Sequence, residues 1–182
     1  MRFGACVSIL VLGFVLQSGT ALGQGRSEVL LHDDFSGSGI DTTLWTVHGT
    51  GTSSPGDSLE LWAHWGWDDG VSSRRVFARP PSDSMLIVSG RLRVPRTNWE
   101  CISCVWLQEV WETDTRTYGI EFDQDEIYHS SHSVDFLARD GGSWLDNLRI
   151  HEFQPGTWVD WEFTVYETGC EVAVEGSDGL VW

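Results

Sequence analysis

Residues 158–166 carry the cleanest pattern in the chain: Val159, Trp161, Phe163 and Val165 alternate with Asp160, Glu162 and Thr164. A period of two puts the apolar set on one face of an extended strand and the polar set on the other. Glu167-Thr168-Gly169 supplies a turn, and Val172 and Val174 resume the alternation over 170–175, so the two segments predict a β-hairpin. Apolar runs of similar length recur from Val29 and at 58–62, 71–78, 85–94, 102–110, 118–123, 133–138 and 147–153. Clusters rich in Gly, Pro, Ser and Asp separate them, as at 50–57, 79–83 and 139–142. With about ten short strands and no helix beyond a turn or two, the pattern predicts an all-β domain of two stacked sheets, a sandwich or jelly roll.

The first 23 residues break this pattern. Arg2 is followed by an apolar run from Val7 to Leu16 and then by small residues to Gly23. That layout is a cleavable secretory signal, its apolar part too short to span a membrane. The expected organisation is a leader at 1–23 and one domain at 24–182, exported to the extracellular space or the periplasm. A jelly roll closes with a strand beside its first, and the sequence stops directly after the late hairpin. A domain lacking its closing strand is therefore expected.

Charge narrows the partners. The formal net charge is −16, and loss of Arg2 with the leader takes it to −17; every one of the 11 basic residues is Arg. So negative a field repels nucleic acid and anionic lipid at long range and favours a neutral or cationic partner. Neutral polysaccharide fits, with a monomer expected and no membrane association. The 11 Trp point the same way, because a broad apolar face with one donor suits a sugar ring. Some of these indoles are expected simply to fill the core.

Three cysteines remain after the leader, Cys101, Cys104 and Cys170, so they cannot all pair within one molecule. On a strand Cys101 and Cys104 point to opposite faces, and a direct bridge between them needs a turn or bulge. A bridge from Cys170 to either one, and buried thiols, both stay open.

The stretch YGIEFDQDEIY, 118–128, places Glu121, Asp123, Asp125 and Glu126 within six residues of a strand-like run. Glu121, Asp123 and Asp125 share a face of an extended strand; Glu126 joins them only through a bulge near Gln124 and Asp125. A retaining glycosidase needs two carboxyl groups about 5–5.5 Å apart, so the bulge matters for chemistry. Crowding of like charges would raise at least one pKa, as an acid working near neutrality requires.

The Glu121-x-Asp123-x-x-Glu126 spacing resembles the signature of glycoside hydrolase family 16, and HDDFSGSGIDTTLW, 32–45, resembles the N-terminal strand and turn of concanavalin A-like lectins and glucanases. The order of parts agrees over 29–176: SGRLRVP resembles the strand before the cleft, CVWL the Trp strand, and GTW to VEG the late hairpin. The resemblance implies a concanavalin A-like jelly roll that hydrolyses a β-glucan or similar chain with retention. It implies Glu121 as nucleophile and Glu126 as general acid/base, with Asp123 between them. Gln124 and Asp125 depart from the family, whose members carry aliphatic residues there. The alternatives are a non-catalytic lectin-like module and a truncated, inactive homologue.

Trp62, Trp65 and Trp67 form the densest aromatic cluster and are candidate sugar platforms, followed by Trp106 and Trp111. Glu126, His129, His132 and Asp135 recur at three-residue intervals, but in a loop that spacing has no metal geometry, so no metal ligands are assigned. No cofactor is called for, apart from a structural calcium for which Asp33 and Asp34 are the candidate ligands.

Overall fold

The computed structural model describes residues 10–20, 28–53, 58–61, 70–78, 80–94, 96, 101–110, 115–125, 131–140, 143–175 and 180–181. For 10–20, 52–53, 61, 101, 108–110, 115–116, 125, 131, 139–140, 144–147 and 180–181 it describes the backbone alone. Strands and no helix make up the regular structure of these residues. In chain order they are β1 (Leu10–Thr20), β2 (Glu28–Asp33), β3 (Trp45–His48), β4 (Thr52–Ser53), β5 (Leu59–Leu61), β6 (Gly70–Ser73) and β7 (Ser84–Arg93). There follow β8 (Cys101–Val110), β9 (Thr115–Asp125), β10 (Ser131–Asp140), β11 (Ser143–Glu152), β12 (Val159–Val165), β13 (Cys170–Val174) and β14 (Leu180–Val181).

All pairings are antiparallel. One sheet runs β14-β13-β12-β7-β1-β5-β4 with β2 also on β1, a second runs β11-β10-β9-β8, and β3 pairs with β6. The two larger sheets bury one face each in a common core. Val88 and Leu92 of β7, Trp161 and Phe163 of β12, and Val172 and Val174 of β13 cluster with Ile120 and Phe122 of β9 and Val134 and Phe136 of β10. Alternation dictates this: in β12, Val159, Trp161 and Phe163 are buried while Asp160 and Glu162 are exposed. Phe122, Phe136 and Phe163 have no solvent exposure, and truncating any of them to Ala would cost about 3–5 kcal/mol.

The predicted hairpin is present, β12 and β13 pairing from Trp161↔Val174 to Val165↔Cys170. Tyr166 N donates to Gly169 O at 2.8 Å to close its turn. The Tyr166 hydroxyl donates to Glu171 Oε2 at 3.3 Å. Burial and then the nearby Glu171 carboxylate raise the pKa of this phenol. The fold thus favours the protonated form, and that contribution, complete below the ordinary tyrosine pKa of about 10, is lost as pH rises through the raised value.

One strand is shorter than its pattern. The apolar run at 71–78 predicts a strand to Ala78, but β6 ends at Ser73. Arg74 N still donates across to Leu44 O, but Ser73 Oγ then accepts from Arg75 N, and this local bond takes the place of further pairing.

The start of the domain is held by Asp33. Its Oδ1 accepts from Phe35 N at 2.8 Å and its Oδ2 from Trp45 Nε1 at 2.7 Å. Phe35, buried against Trp45 with ring centroids 5.8 Å apart, adopts a φ of 54°. A bulky side chain occupies that left-handed region only under constraint. Asp34 Oδ1 accepts from Ser36 N, and Asp41 Oδ1 from the amide and hydroxyl of Thr43. Hydrogen bonding from the side chain and then the amide of Ser36 lowers the Asp34 carboxyl pKa, and that from the hydroxyl and then the amide of Thr43 lowers the Asp41 one.

The apolar run read as a leader is β1 in the uncleaved chain. It pairs with β7 from Leu10↔Arg93 to Thr20↔Ser84 and with β2 from Phe14↔Asp33 to Ser18↔Glu28. It therefore fills the place beside the first strand of the domain. Removal of the leader would leave β2 and β7 separated by one missing strand, about 10 Å at two inter-strand spacings.

Two measurements test these contacts. Asp33→Ala is expected to lower stability by about 2–3 kcal/mol in urea denaturation, because it removes two charge-assisted bonds at once. A chain beginning at Gln24 is expected to melt below the full chain, and equal melting temperatures would show that β1 contributes nothing to the folded domain.

Candidate active site

Opposite residues of an antiparallel ladder point to the same side, so register assembles the site. β9 pairs with β8 through Cys104↔Glu121, Ile102↔Asp123 and Trp106↔Gly119, and with β10 through Asp135↔Glu121, Ser133↔Asp123 and Leu137↔Gly119. Tyr118, Ile120, Phe122 and Gln124 face the core and are buried. Glu121 and Asp123 lie on the other face, half-buried. β11 extends the row with Arg149 opposite Asp135. Cys104, Glu121, Asp135 and Arg149 thus follow one another across four strands.

Side-chain contacts run along this row. The Cys104 thiol donates to Glu121 Oε2 at 3.6 Å. Ser133 Oγ donates to Asp135 Oδ2 at 3.0 Å, and Arg149 Nε stands 3.6 Å from Asp135 Oδ1. Leu137 and Ser133 on this face are 1% and 2% exposed, so it forms a sheltered floor for the carboxylates.

Trp106 lies over that floor. A Cβ placed on Gly119 would overlap the Cε3 and Cζ3 atoms of Trp106, which means that the indole rests against the backbone of Gly119. An aromatic plate along the strand that carries Glu121 is the arrangement a sugar face stacks on. Of the remaining indoles with described side chains, Trp45 and Trp161 are in the core. Trp158 is half-buried beneath the guanidinium groups of Arg91 and Arg93.

The other expected site residues divide. Glu121, Asp123 and Trp106 share one face, and Asp125 belongs to it by register. Glu126, Trp62, Trp65, Trp67, Trp111 and His129 lie outside the described residues. The bulge expected at Gln124 and Asp125 is not found there: β9 stays in register with β10 through Gln124↔His132 and Asp125↔Ser131. Gln124, fully buried on the core face, keeps the alternation that an inserted residue would destroy. The ladder slips instead between β10 and β11, at Val134/Asp135 and Ala138/Arg139.

His132 and Asp135 are not loop residues either. Both belong to β10, where His132, opposite Gln124, faces the core side and Asp135 the other. No group of three or more His, Cys, Asp or Glu that could hold a metal occurs among the described residues. Both oxygens of Asp33 and Oδ1 of Asp34 accept hydrogen bonds from Phe35, Trp45 and Ser36 as described.

β8 is regular across the C-x-x-C, its backbone pairing Cys101 with Gln124 and Cys104 with Glu121. Cys104 and Cys170 are both thiols, the latter buried in the core.

Asp135, Cys104 and Arg149 are the residues that sequence reasoning did not assign to the site. Only the strand order could reveal them, because they lie 14 to 28 residues from Glu121 in the chain, with Asp135 nearest at 14 and Arg149 furthest at 28. A cavity of about 600 Å³ lies elsewhere, on the larger sheet, lined by His32, Arg91, Asp160, Trp161, Glu162 and Glu175. It shares no residue with β8 to β11. Scans of this chain against protein-family models, curated proteins and solved structures give no match.

Gly119→Ala tests the indole plate. Its methyl group is expected to push Trp106 off the strand and to destabilise the fold by about 1–3 kcal/mol, as overpacking does. The Trp106 indole N–H resonance should move; an unchanged resonance would show that the ring does not rest on Gly119.

Proposed function

We propose that this protein is an exported glycoside hydrolase with a concanavalin A-like jelly-roll architecture, cleaving a neutral polysaccharide of the β-glucan or marine galactan kind with retention. The observation that carries the reading is the shared face of β9, where Glu121 and Asp123 lie in line with the Trp106 plate on a sheltered floor. A stacked sugar would hold its anomeric carbon over the carboxylates. Glu121 attacks that carbon to form the glycosyl-enzyme, Glu126 protonates the departing oxygen and then deprotonates the incoming water, and Asp123 holds a hydrogen bond between them. The acidic surface supports an uncharged chain as substrate, working as a monomer outside the cell.

A second reading, a carbohydrate-binding module without catalysis, draws on the regular register of β9 up to Asp125. A regular ladder alternates faces, so Glu126 joins Glu121 only if the strand departs from regularity beyond Asp125.

Incubation with laminarin, lichenan, agarose and carrageenan, followed by assay of new reducing ends, separates the two. Release from a neutral chain is expected, falling about a thousandfold in Glu121→Gln and in Glu126→Gln. Release that survives both substitutions sinks the assigned pair, and binding without release moves the conclusion to the module.

A further inference from the structure

Asp135 stands directly across the ladder from Glu121, on the same face, with both of its oxygens engaged. Directly opposite positions bring Cβ atoms to about 4.5–5.5 Å, so an ionised Asp135 is the nearest cross-strand charge to Glu121. Its side chain is 14% exposed, where solvent screens less than at the surface. Left alone, that charge would favour the protonated form of Glu121, which cannot act as a nucleophile. Arg149, on the far side of Asp135 and 55% exposed, offsets it.

We propose that Asp135 and Arg149 are a positioning pair that sets the charge state of Glu121. Asp135 pushes the Glu121 carboxyl toward holding its proton, and Arg149, held beside Asp135, offsets that charge and returns it toward ionisation. The inference rests on the role proposed above for Glu121. The groups facing Glu121 from the described elements are Cys104 on β8, Asp123 on β9 itself, Asp135 on β10 and, beyond it, Arg149 on β11. Asp135 has the exposed Arg149 beside it, so its charge is one that a single substitution can adjust.

The experiment follows the Glu121 side-chain carboxyl by carbon NMR across pH in the full chain, with Glu121→Gln to assign the resonance. Asp135→Asn removes the repelling charge and is expected to lower the midpoint by about one pH unit. Arg149→Gln leaves that charge uncompensated and is expected to raise the midpoint. In the double variant both charges are gone, so the midpoint should fall between those of the two single variants. The acid limb of the pH–activity profile should move in the same directions.

An unmoved midpoint in Asp135→Asn, or movement of both single variants in one direction, overturns the inference. Arg149 is exposed, so its variant remains informative if Asp135→Asn fails to fold. Midpoints that move as expected in a protein releasing no reducing ends would leave the inference standing and defeat the hydrolase reading instead.

Discussion

The register of β9 is the constraint on which the candidate site depends. Ile120, Phe122 and Gln124 have no solvent exposure, and each sits one residue from a carboxylate on the opposite face. A slip by one residue would send Glu121 and Asp123 into the core and Phe122 onto the floor. Burial of a carboxylate without a partner costs several kcal/mol, so the apolar face holds the acids in place as firmly as any direct contact could. The same register brings Cys104 and Asp135 to either side of Glu121 and lays Trp106 over Gly119. Core packing and site geometry are thus one structural fact seen from two faces of a sheet.

A comparable economy marks the first loop of the domain. Asp33 ends β2, holds Phe35 in a left-handed conformation and binds Trp45 at the start of β3. An Asp able to accept from an amide and an indole at once explains why acids open this segment, and their chemistry there is structural. The larger sheet depends in turn on a strand between β2 and β7, the place that the apolar N-terminal run takes in the uncleaved chain. The residues that read as a leader are therefore also a strand of the sheet, and their removal would change its edges.

Much of this was legible in the order of residues. Period-two alternation located β7 to β13, and the shared face of Glu121 and Asp123 followed from it directly. Local chemistry overrode the pattern where it competed, as at Ser73, whose hydroxyl accepts from Arg75 N where β6 ends short of the expected Ala78. The bulge that Glu126 would need to join Glu121 is absent at Gln124 and Asp125, because Gln124 is buried on the core face and keeps the ladder regular there. His132 and Asp135 read as a loop series, and only pairing with β9 showed that they face opposite sides of a strand.

The sequence by itself determined which residues face together within a strand, because an extended backbone has a fixed period and the cost of burying charge selects the face. It also determined the acidity of the molecule. Tertiary structure alone decided which strands became neighbours. The arrangement of Cys104, Asp135 and Arg149 around Glu121, and the seat of Trp106 on Gly119, are contacts across a ladder between residues distant in the chain. No local period encodes such contacts; they arise when the apolar faces of two sheets close on a single core.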